Sequence, residues 1–231
     1  MKYIIEILRQ KRNDKTKYKE KYEYENDNLE TSLLQVLLDI NLKYNSNIEF
    51  EYSCYQKKCG ACSAIINNSP NLLCKARLKD YKDYIYIEPL RKFNCITDLI
   101  VDRSILYENL KTLNLWLNEN ANINDNNTNL AYKSSECIMC GLCLEVCPSF
   151  NIKSKFFGPA SFSITTKIIT EADKDTKDKI KELFNKHIFS GCSKSLSCVK
   201  VCPKNIKLDE LLINLNGLSI WKKLEKRYEL S

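Results

Sequence analysis

The sequence predicts an α+β protein in which a small sheet-containing domain precedes an all-α domain. Short segments rich in β-branched or aromatic residues, as strands are, lie before residue 103: YIIEIL, YKEKYEYE, IEFEYS, SAIIN and YIYIEP. Among them, SLLQVLLDINLKY repeats its apolar residues at helical spacing. The segment from Ile105 to Leu117 again has helical spacing, so we expect domains over residues 1–103 and 104–231.

Length and composition set limits on the class of protein. The chain has 231 residues, 44% of them hydrophobic, which is enough for two modest cores. No run of eighteen apolar residues occurs, and Glu6 interrupts the apolar N-terminal segment, so we expect neither a transmembrane helix nor a secretory signal. Twelve cysteines without such a signal indicate a reducing compartment, where thiols serve metals or catalysis more often than disulfides.

The charge pattern does not favour nucleic acid as a partner. The net charge is +7, and the densest basic segment, Arg9 to Lys21, also contains Asp14 and Glu20 and is expected to form a solvated hairpin. Basic and aromatic residues do not alternate as they do on nucleic-acid-binding surfaces. The Asn-rich stretch ENANINDNNTNL, residues 119–130, is expected to be a surface linker or loop.

The first group of cysteines predicts a 2Fe-2S cluster. Cys54, Cys59 and Cys62 are spaced C-x₄-C-x₂-C, and Cys74 follows after eleven residues, which is the plant-type ferredoxin spacing. Iron bridged by sulfide takes soft thiolate ligands, and a tight loop must bring three of them together. Gly60, beside Cys59, is small enough for such a loop. A structural zinc site is the alternative, although this spacing is unusual for zinc.

The second group predicts two further clusters. Cys137, Cys140, Cys143 and Cys147-Pro148 match the bacterial ferredoxin run, in which the fourth cysteine binds the opposite cluster. A partner run has Cys192, Cys198 and Cys202-Pro203, with Ser195 in place of its second cysteine. The exchange of fourth cysteines gives a 4Fe-4S set of Cys137, Cys140, Cys143 and Cys202, and leaves Cys147, Cys192 and Cys198 for a 3Fe-4S cluster. Only Cys95 remains, and it is expected to be a small buried hydrophobic residue.

These motifs together resemble the iron–sulfur subunit of succinate dehydrogenase or fumarate reductase. The segments EPLRKFNCITDLIVD, residues 88–102, and FFGPASF, residues 156–162, are also similar to that family. The resemblance implies a β-grasp plant-type ferredoxin domain followed by an all-α bacterial-type ferredoxin domain. It further implies three clusters that pass electrons between the FAD of a flavoprotein subunit and a quinone at a membrane anchor subunit. The chain would then be a peripheral protein on the cytoplasmic side of the cell membrane.

The chain departs from the family pattern at two places. Family members usually have Arg after the first cysteine and Gly two residues further on, where this chain has Tyr55 and Lys57. At the quinone pocket, many succinate dehydrogenases have Trp side chains after the Cys-Pro and a His in the last run; this chain has Asn151, Ile152 and Ser193 instead. The resemblance places Pro148, Ile152 and Ser193 close to the quinone.

Other classes of electron-transfer protein share the cluster motifs. No nucleophile with its base and no Gly-rich phosphate loop occurs in the sequence, so chemistry at carbon would belong to the flavoprotein. One alternative is a freestanding multi-cluster ferredoxin that serves several soluble partners. Another is the iron–sulfur subunit of a thiol-linked fumarate reductase or a heterodisulfide-type reductase.

Overall fold

The computed structural model describes residues 1–12, 14–117 and 128–217, which form two compact units. The first unit comprises Met1–Arg103 together with Ile138–Glu145. The second comprises the described residues of Ser104–Cys137 and Val146–Ser231. The segment Ile138–Glu145, which carries part of the second cysteine group, therefore belongs structurally with the N-terminal unit.

The first unit is built on a mixed five-stranded sheet. Its strands are β1 (Lys2–Gln10), β2 (Lys17–Glu25), β3 (Ser63–Ile66), β4 (Ser69–Leu72) and β5 (Tyr84–Glu88), in the order β2-β1-β5-β3-β4. β1 pairs in parallel with β5, and the other pairs are antiparallel. A separate antiparallel pair, β6 (Asn94–Thr97) and β7 (Ile100–Asp102), completes the unit.

One long helix accompanies this sheet, as the apolar spacing predicts. α1 (Leu33–Tyr44) begins at Ser32, whose side chain accepts a hydrogen bond from the Gln35 backbone N–H, and ends at Asn45 in the left-handed conformation. Its apolar face is fully buried and forms the core with the inward residues of the central strands: Leu33, Leu34, Val36, Leu37, Ile40, Ile5, Ile7, Ile85 and Ile87. The short helix α4 (Leu142–Glu145) also lies in this unit.

The regular elements described in the second unit are helical. They are α2 (Ser104–Thr112), α3 (Thr128–Ser135), α5 (Ala160–Glu171), α6 (Lys174–His187) and α7 (Ser197–Val201), followed by helical residues 208–217. Phe162 of α5 and Ile180 and Phe184 of α6 are almost fully buried. None of the helices described in the two units is both long enough and apolar enough to cross a membrane.

The segment IEFEYS is not a strand, although its composition predicts one. The backbone N–H of Ile48 donates to the Asn41 side chain, 2.7 Å, and that of Glu49 donates to Asp98 Oδ2, 2.9 Å. These two backbone N–H groups are therefore bonded to side chains instead of to a neighbouring strand, and sequence periodicity does not report such partners.

The basic segment forms the expected hairpin, but one of its cations is buried. Arg9 is 7% exposed, and its Nε lies 2.9 Å from Asp98 Oδ1, while Nη1 contacts Glu20. The predicted helix after residue 104 ends at Thr112, and Asn114 follows in the left-handed conformation. Of the predicted linker, residues 119–127 lie outside the described residues, whereas residues 128–130 begin α3.

Candidate iron–sulfur centres

The structure brings together the cysteines of the first predicted set. The thiol of Cys54 interacts with that of Cys59, and the thiol of Cys62 with that of Cys74. The charge of Cys59 also contributes to the raised pKa of Cys62, so the two pairs of thiols are neighbours. Cys62 and Cys74 are buried, Cys54 is half-buried and Cys59 is exposed.

Backbone amides of the loop point at the sulfur atoms. The N–H groups of Gln56 and Lys58 donate to Cys54 Sγ at 3.3 and 3.1 Å, and the N–H of Lys57 donates to Cys74. Tyr55 and Lys57 both have positive φ, 57° and 59°, which turns successive amides toward the cysteines. Lys57 therefore adopts the left-handed conformation that a glycine takes more easily, at a cost of about 1 kcal/mol.

These hydrogen bonds favour the thiolate form at two of the four cysteines of the first site, Cys54 and Cys74. Burial acts to raise the pKa of Cys54, but the amides of Gln56 and Lys58 outweigh it and lower this pKa to about 7. The hydrogen bond from Cys62 lowers the pKa of Cys74 to about 6, and the same bond raises the pKa of Cys62. Amide donors that stabilise negative sulfur are what the ligands of an iron–sulfur cluster require, so this donor set fits such a cluster.

The second and third cysteines of the bacterial-type run, Cys140 and Cys143, lie in a segment of the first unit. Cys140 is buried and Cys143 half-buried in that unit, and Gly141 between them has φ of 84°. A Cβ atom on Gly141 would lie 3.1 Å from Phe93 Cζ. Cys137 and Cys202, the other two members of the predicted 4Fe-4S set, are half-buried residues of the second unit.

The three cysteines of the last predicted set line one cavity within the second unit. Cys147, Cys192 and Cys198 line this cavity together with Ser195, which occupies the position of the second cysteine in the bacterial-type run. Burial first, and then the nearby thiols of Cys147 and Cys192, raise the pKa of Cys198 to about 11. Three neighbouring thiols can become thiolates together when metal replaces their protons, so this site also suits iron.

Apolar side chains whose role the cysteine pattern did not predict form the wall of this cavity. They are Phe156, Pro159, Phe162, Leu196, Leu208 and Leu212. Gly191, directly before Cys192, packs on the ring of Phe156, since a Cβ atom at Gly191 would lie 2.6 Å from Phe156 Cδ2. Phe156, Pro159 and Phe162 belong to the FFGPASF segment, so the similarity of that segment to the family was the available signal.

The residues expected near the quinone have different positions around this cavity. Ser193 is exposed and lines it, whereas Pro148, exposed, and Ile152, half-buried, are not among its lining residues. Cys95 is half-buried and its Sγ lies 3.5 Å from the carbonyl oxygen of Asp98. Burial raises the pKa of Cys95, whereas the net shift of the pKa of Cys54 is downward.

A single-ion site is not preformed in residues 1–12, 14–117 and 128–217. No three or more His, Cys, Asp or Glu side chains there are arranged to hold one metal ion. A cluster does not need such convergence, because its cysteines bind different irons.

Comparison with known proteins places both halves of the chain among iron–sulfur proteins. Residues 4–108 match the family described as a 2Fe-2S iron-sulfur cluster binding domain, and residues 133–206 match the 4Fe-4S dicluster domain. The chain is thus an iron–sulfur electron-transfer protein with a mixed-sheet 2Fe-2S region followed by a helical dicluster region.

Relatives identify the family more closely. The chain is 30% identical to the succinate dehydrogenase iron-sulfur subunit of Bacillus subtilis, over 91% of this chain and 89% of that protein. It is 31% identical to the fumarate reductase iron-sulfur subunit of Escherichia coli, over 76% of each. A chain of the Mycobacterium smegmatis Sdh1 complex has the same fold, with a TM-score of 0.80, 21% identity and coverage of 96% of this chain and 97% of that one. The protein belongs to the family of succinate dehydrogenase and fumarate reductase iron–sulfur subunits.

Proposed function

We propose that this chain conducts electrons between the FAD of a flavoprotein subunit and a membrane quinone, through a 2Fe-2S, a 4Fe-4S and a 3Fe-4S cluster. It is a subunit of a succinate:quinone oxidoreductase, and the chemistry at succinate or fumarate takes place on the flavoprotein. The observation that carries the proposal is the set of three cysteines and Ser195 around one cavity, since this pattern distinguishes a three-cluster chain from a simple ferredoxin.

Each cluster is assigned its own ligands. Cys54, Cys59, Cys62 and Cys74 hold the 2Fe-2S cluster, and the loop amides that donate to Cys54 and Cys74 support their thiolate form. Cys137, Cys140, Cys143 and Cys202 hold the 4Fe-4S cluster. Cys147, Cys192 and Cys198 hold the 3Fe-4S cluster. When bound, the clusters supply one-electron redox chemistry, while the chain positions their ligands.

The finer fold and the domain limits are part of the same proposal. The five-stranded sheet with its single long helix supports a β-grasp, plant-type ferredoxin domain over residues 1–103. Residues 104–231 form the bacterial-type ferredoxin domain, except that Ile138–Glu145 pack with the first unit.

The partners are a flavoprotein subunit and one or more membrane anchor subunits, with no role for nucleic acid. The chain lies peripherally on the cytoplasmic side of the cell membrane, with the face around Pro148, Ile152 and Ser193 toward the anchor and the quinone. The position of Ser193 on the cavity shared by Cys147, Cys192 and Cys198 supports this placement.

The Ile152→Asp substitution tests this orientation. We expect it to impair quinone-coupled turnover of the purified complex and to leave electron transfer from succinate to a soluble acceptor at the flavoprotein unchanged. Ile96→Asp, at a 40% exposed isoleucine of the first unit, is the matched control and should affect neither activity. Equal loss of both activities in Ile152→Asp would contradict the placement, and purification without a flavoprotein would instead indicate a freestanding carrier.

A further inference from the structure

Ser63 lies between the loops of two predicted clusters. Its hydroxyl oxygen is 2.8 Å from the carbonyl oxygen of Gly60, in the first cysteine loop, and 2.9 Å from that of Cys140, in the bacterial-type run. The residue is 5% exposed, so water does not compete for these contacts. A serine hydroxyl has one proton, which the two carbonyls must share.

Gly60 makes the close approach of these loops possible. Its φ is 75°, and a Cβ atom there would lie 2.8 Å from the carbonyl oxygen of Ile138 and 2.9 Å from Cys140 Cβ. Backbone therefore packs directly on backbone, with no side chain between. The Gly60 carbonyl also accepts a hydrogen bond of 2.8 Å from Arg103 Nη1, which fixes its direction.

Two more contacts hold the second loop against the first unit. The Lys92 backbone N–H donates to Glu145 Oε2 at 3.0 Å, and Phe93 packs on Gly141. Neither contact involves the residues between Cys54 and Cys62. The hydroxyl of Ser63 is a side-chain group that contacts both cysteine loops directly.

We propose that Ser63 is a positioning residue for electron transfer between the first and the second cluster. This inference rests on the ligand assignment above, in which Cys59 and Cys62 flank the contact on one side and Cys140 lies on the other. One electron leaves the first cluster and one enters the second, in either direction, and no atom or proton is transferred. The rate of such a step falls steeply with distance, so a bond that fixes the spacing of the ligand loops controls it.

Removing the hydroxyl should loosen this spacing without removing any ligand. In Ser63→Ala, the Cys140 carbonyl loses this buried donor, while Gly60 keeps Arg103. Ser63→Thr retains a hydroxyl at the same position. Ser69→Ala removes an exposed serine from the adjacent strand β4 and is the matched control.

The measurement is electron paramagnetic resonance of the fully reduced complex, purified without oxygen. A reduced 4Fe-4S cluster speeds the spin relaxation of a nearby reduced 2Fe-2S cluster, and the enhancement falls with the sixth power of their separation. We expect the microwave power that half-saturates the 2Fe-2S signal to fall about 1.5-fold or more in Ser63→Ala, because an unsupported site loosens by about 1 Å. Ser63→Thr and Ser69→Ala should match the wild type.

Each outcome decides the proposal. Unchanged relaxation in Ser63→Ala, with all clusters present, would overturn it. If Ser63→Ala loses a cluster that Ser63→Thr retains, the hydroxyl is required and the proposal is supported. If both variants lose it, the hydroxyl is not the cause and the proposal fails. A wild type without three clusters would instead refute the proposed function, so the two failures are distinguishable.

Discussion

The backbone N–H of Lys58 donates a hydrogen bond of 3.1 Å to the Sγ atom of Cys54. It does so because Tyr55 and Lys57 both have left-handed backbone conformations, which turn the intervening amides inward. Partial positive charge from these amides stabilises the thiolate. The first cysteine of the loop is therefore prepared for metal before any metal binds.

Cys54 of the metal-free chain should react with iodoacetamide faster than an ordinary cysteine at neutral pH. The thiolate is the reactive form, so the rate should rise with pH through a midpoint at about 7, the lowered pKa of Cys54. Peptide mass spectrometry after timed labelling measures this rate. Cys95, whose pKa is raised by burial, is the control and should react slowly at pH 7. A midpoint for Cys54 near 8.5, the ordinary thiol value, would contradict the predicted amide effect.

Ser195→Cys should convert the three-iron cluster into a four-iron cluster. Ser195 lines the same cavity as Cys147, Cys192 and Cys198, and a thiolate binds iron better than the harder, less acidic hydroxyl. The nearly isotropic electron paramagnetic resonance signal of the oxidised 3Fe-4S cluster should disappear, its potential should fall and quinone-coupled turnover should slow. Ser190→Cys adds a thiol outside the cavity lining and should keep the signal. Persistence of the signal in Ser195→Cys would refute the assignment.

Gly191→Ala should destabilise the second unit and selectively remove the three-iron cluster. The new Cβ atom would lie 2.6 Å from Phe156 Cδ2, so the loop before Cys192 must move. Overpacking of this kind costs about 1–3 kcal/mol, which denaturant titration of the full chain would detect. A stable Gly191→Ala protein with its three-iron signal intact would show that the contact does not matter.

Asp98→Asn should destabilise the first unit strongly. Asp98 is 4% exposed, pairs with buried Arg9 and accepts backbone N–H groups from Gln10 and Glu49. Removing this carboxylate leaves the buried Arg9 with Glu20 as its remaining ion-pair partner, and loss of one member of a buried pair costs about 3 kcal/mol. Asparagine tolerates the left-handed conformation of Asp98, so backbone strain is not a confounding factor. Asp27→Asn, at an exposed ion pair with the N-terminus, should leave the midpoint of chemical unfolding unchanged. Equal midpoints for both variants would contradict the importance of the Arg9–Asp98 pair.

Much of the first unit could be predicted from local patterns. The segments YIIEIL, YKEKYEYE, SAIIN and YIYIEP lie in β1, β2, β3 and β5, and the SLLQVLLDINLKY stripe is α1. IEFEYS was predicted wrongly, because two of its amides bond to side chains, that of Asn41 in α1 and that of Asp98, which is distant in sequence. The burial of Arg9 depends on the same distant Asp98, so local charge counting could not reveal it.

The cysteine spacing predicted which thiols would be grouped, but it did not predict their surroundings. The first set and the Cys147, Cys192 and Cys198 set are each brought together. The left-handed Tyr55 and Lys57 could not be foreseen, because neither residue type favours that conformation. The packing of Phe156 on Gly191 and the shared hydroxyl of Ser63 join residues far apart in the chain, which no periodicity encodes.

The central claim is that one chain carries three different clusters. Mössbauer spectroscopy tests this claim most directly, on complex purified without oxygen from cells grown on isotopically enriched iron. The account predicts separate spectra of a two-iron, a three-iron and a four-iron cluster in equal amounts, with the three-iron spectrum absent from Ser195→Cys. Stoichiometric zinc in place of the two-iron cluster, or two four-iron clusters in the wild type, would contradict it.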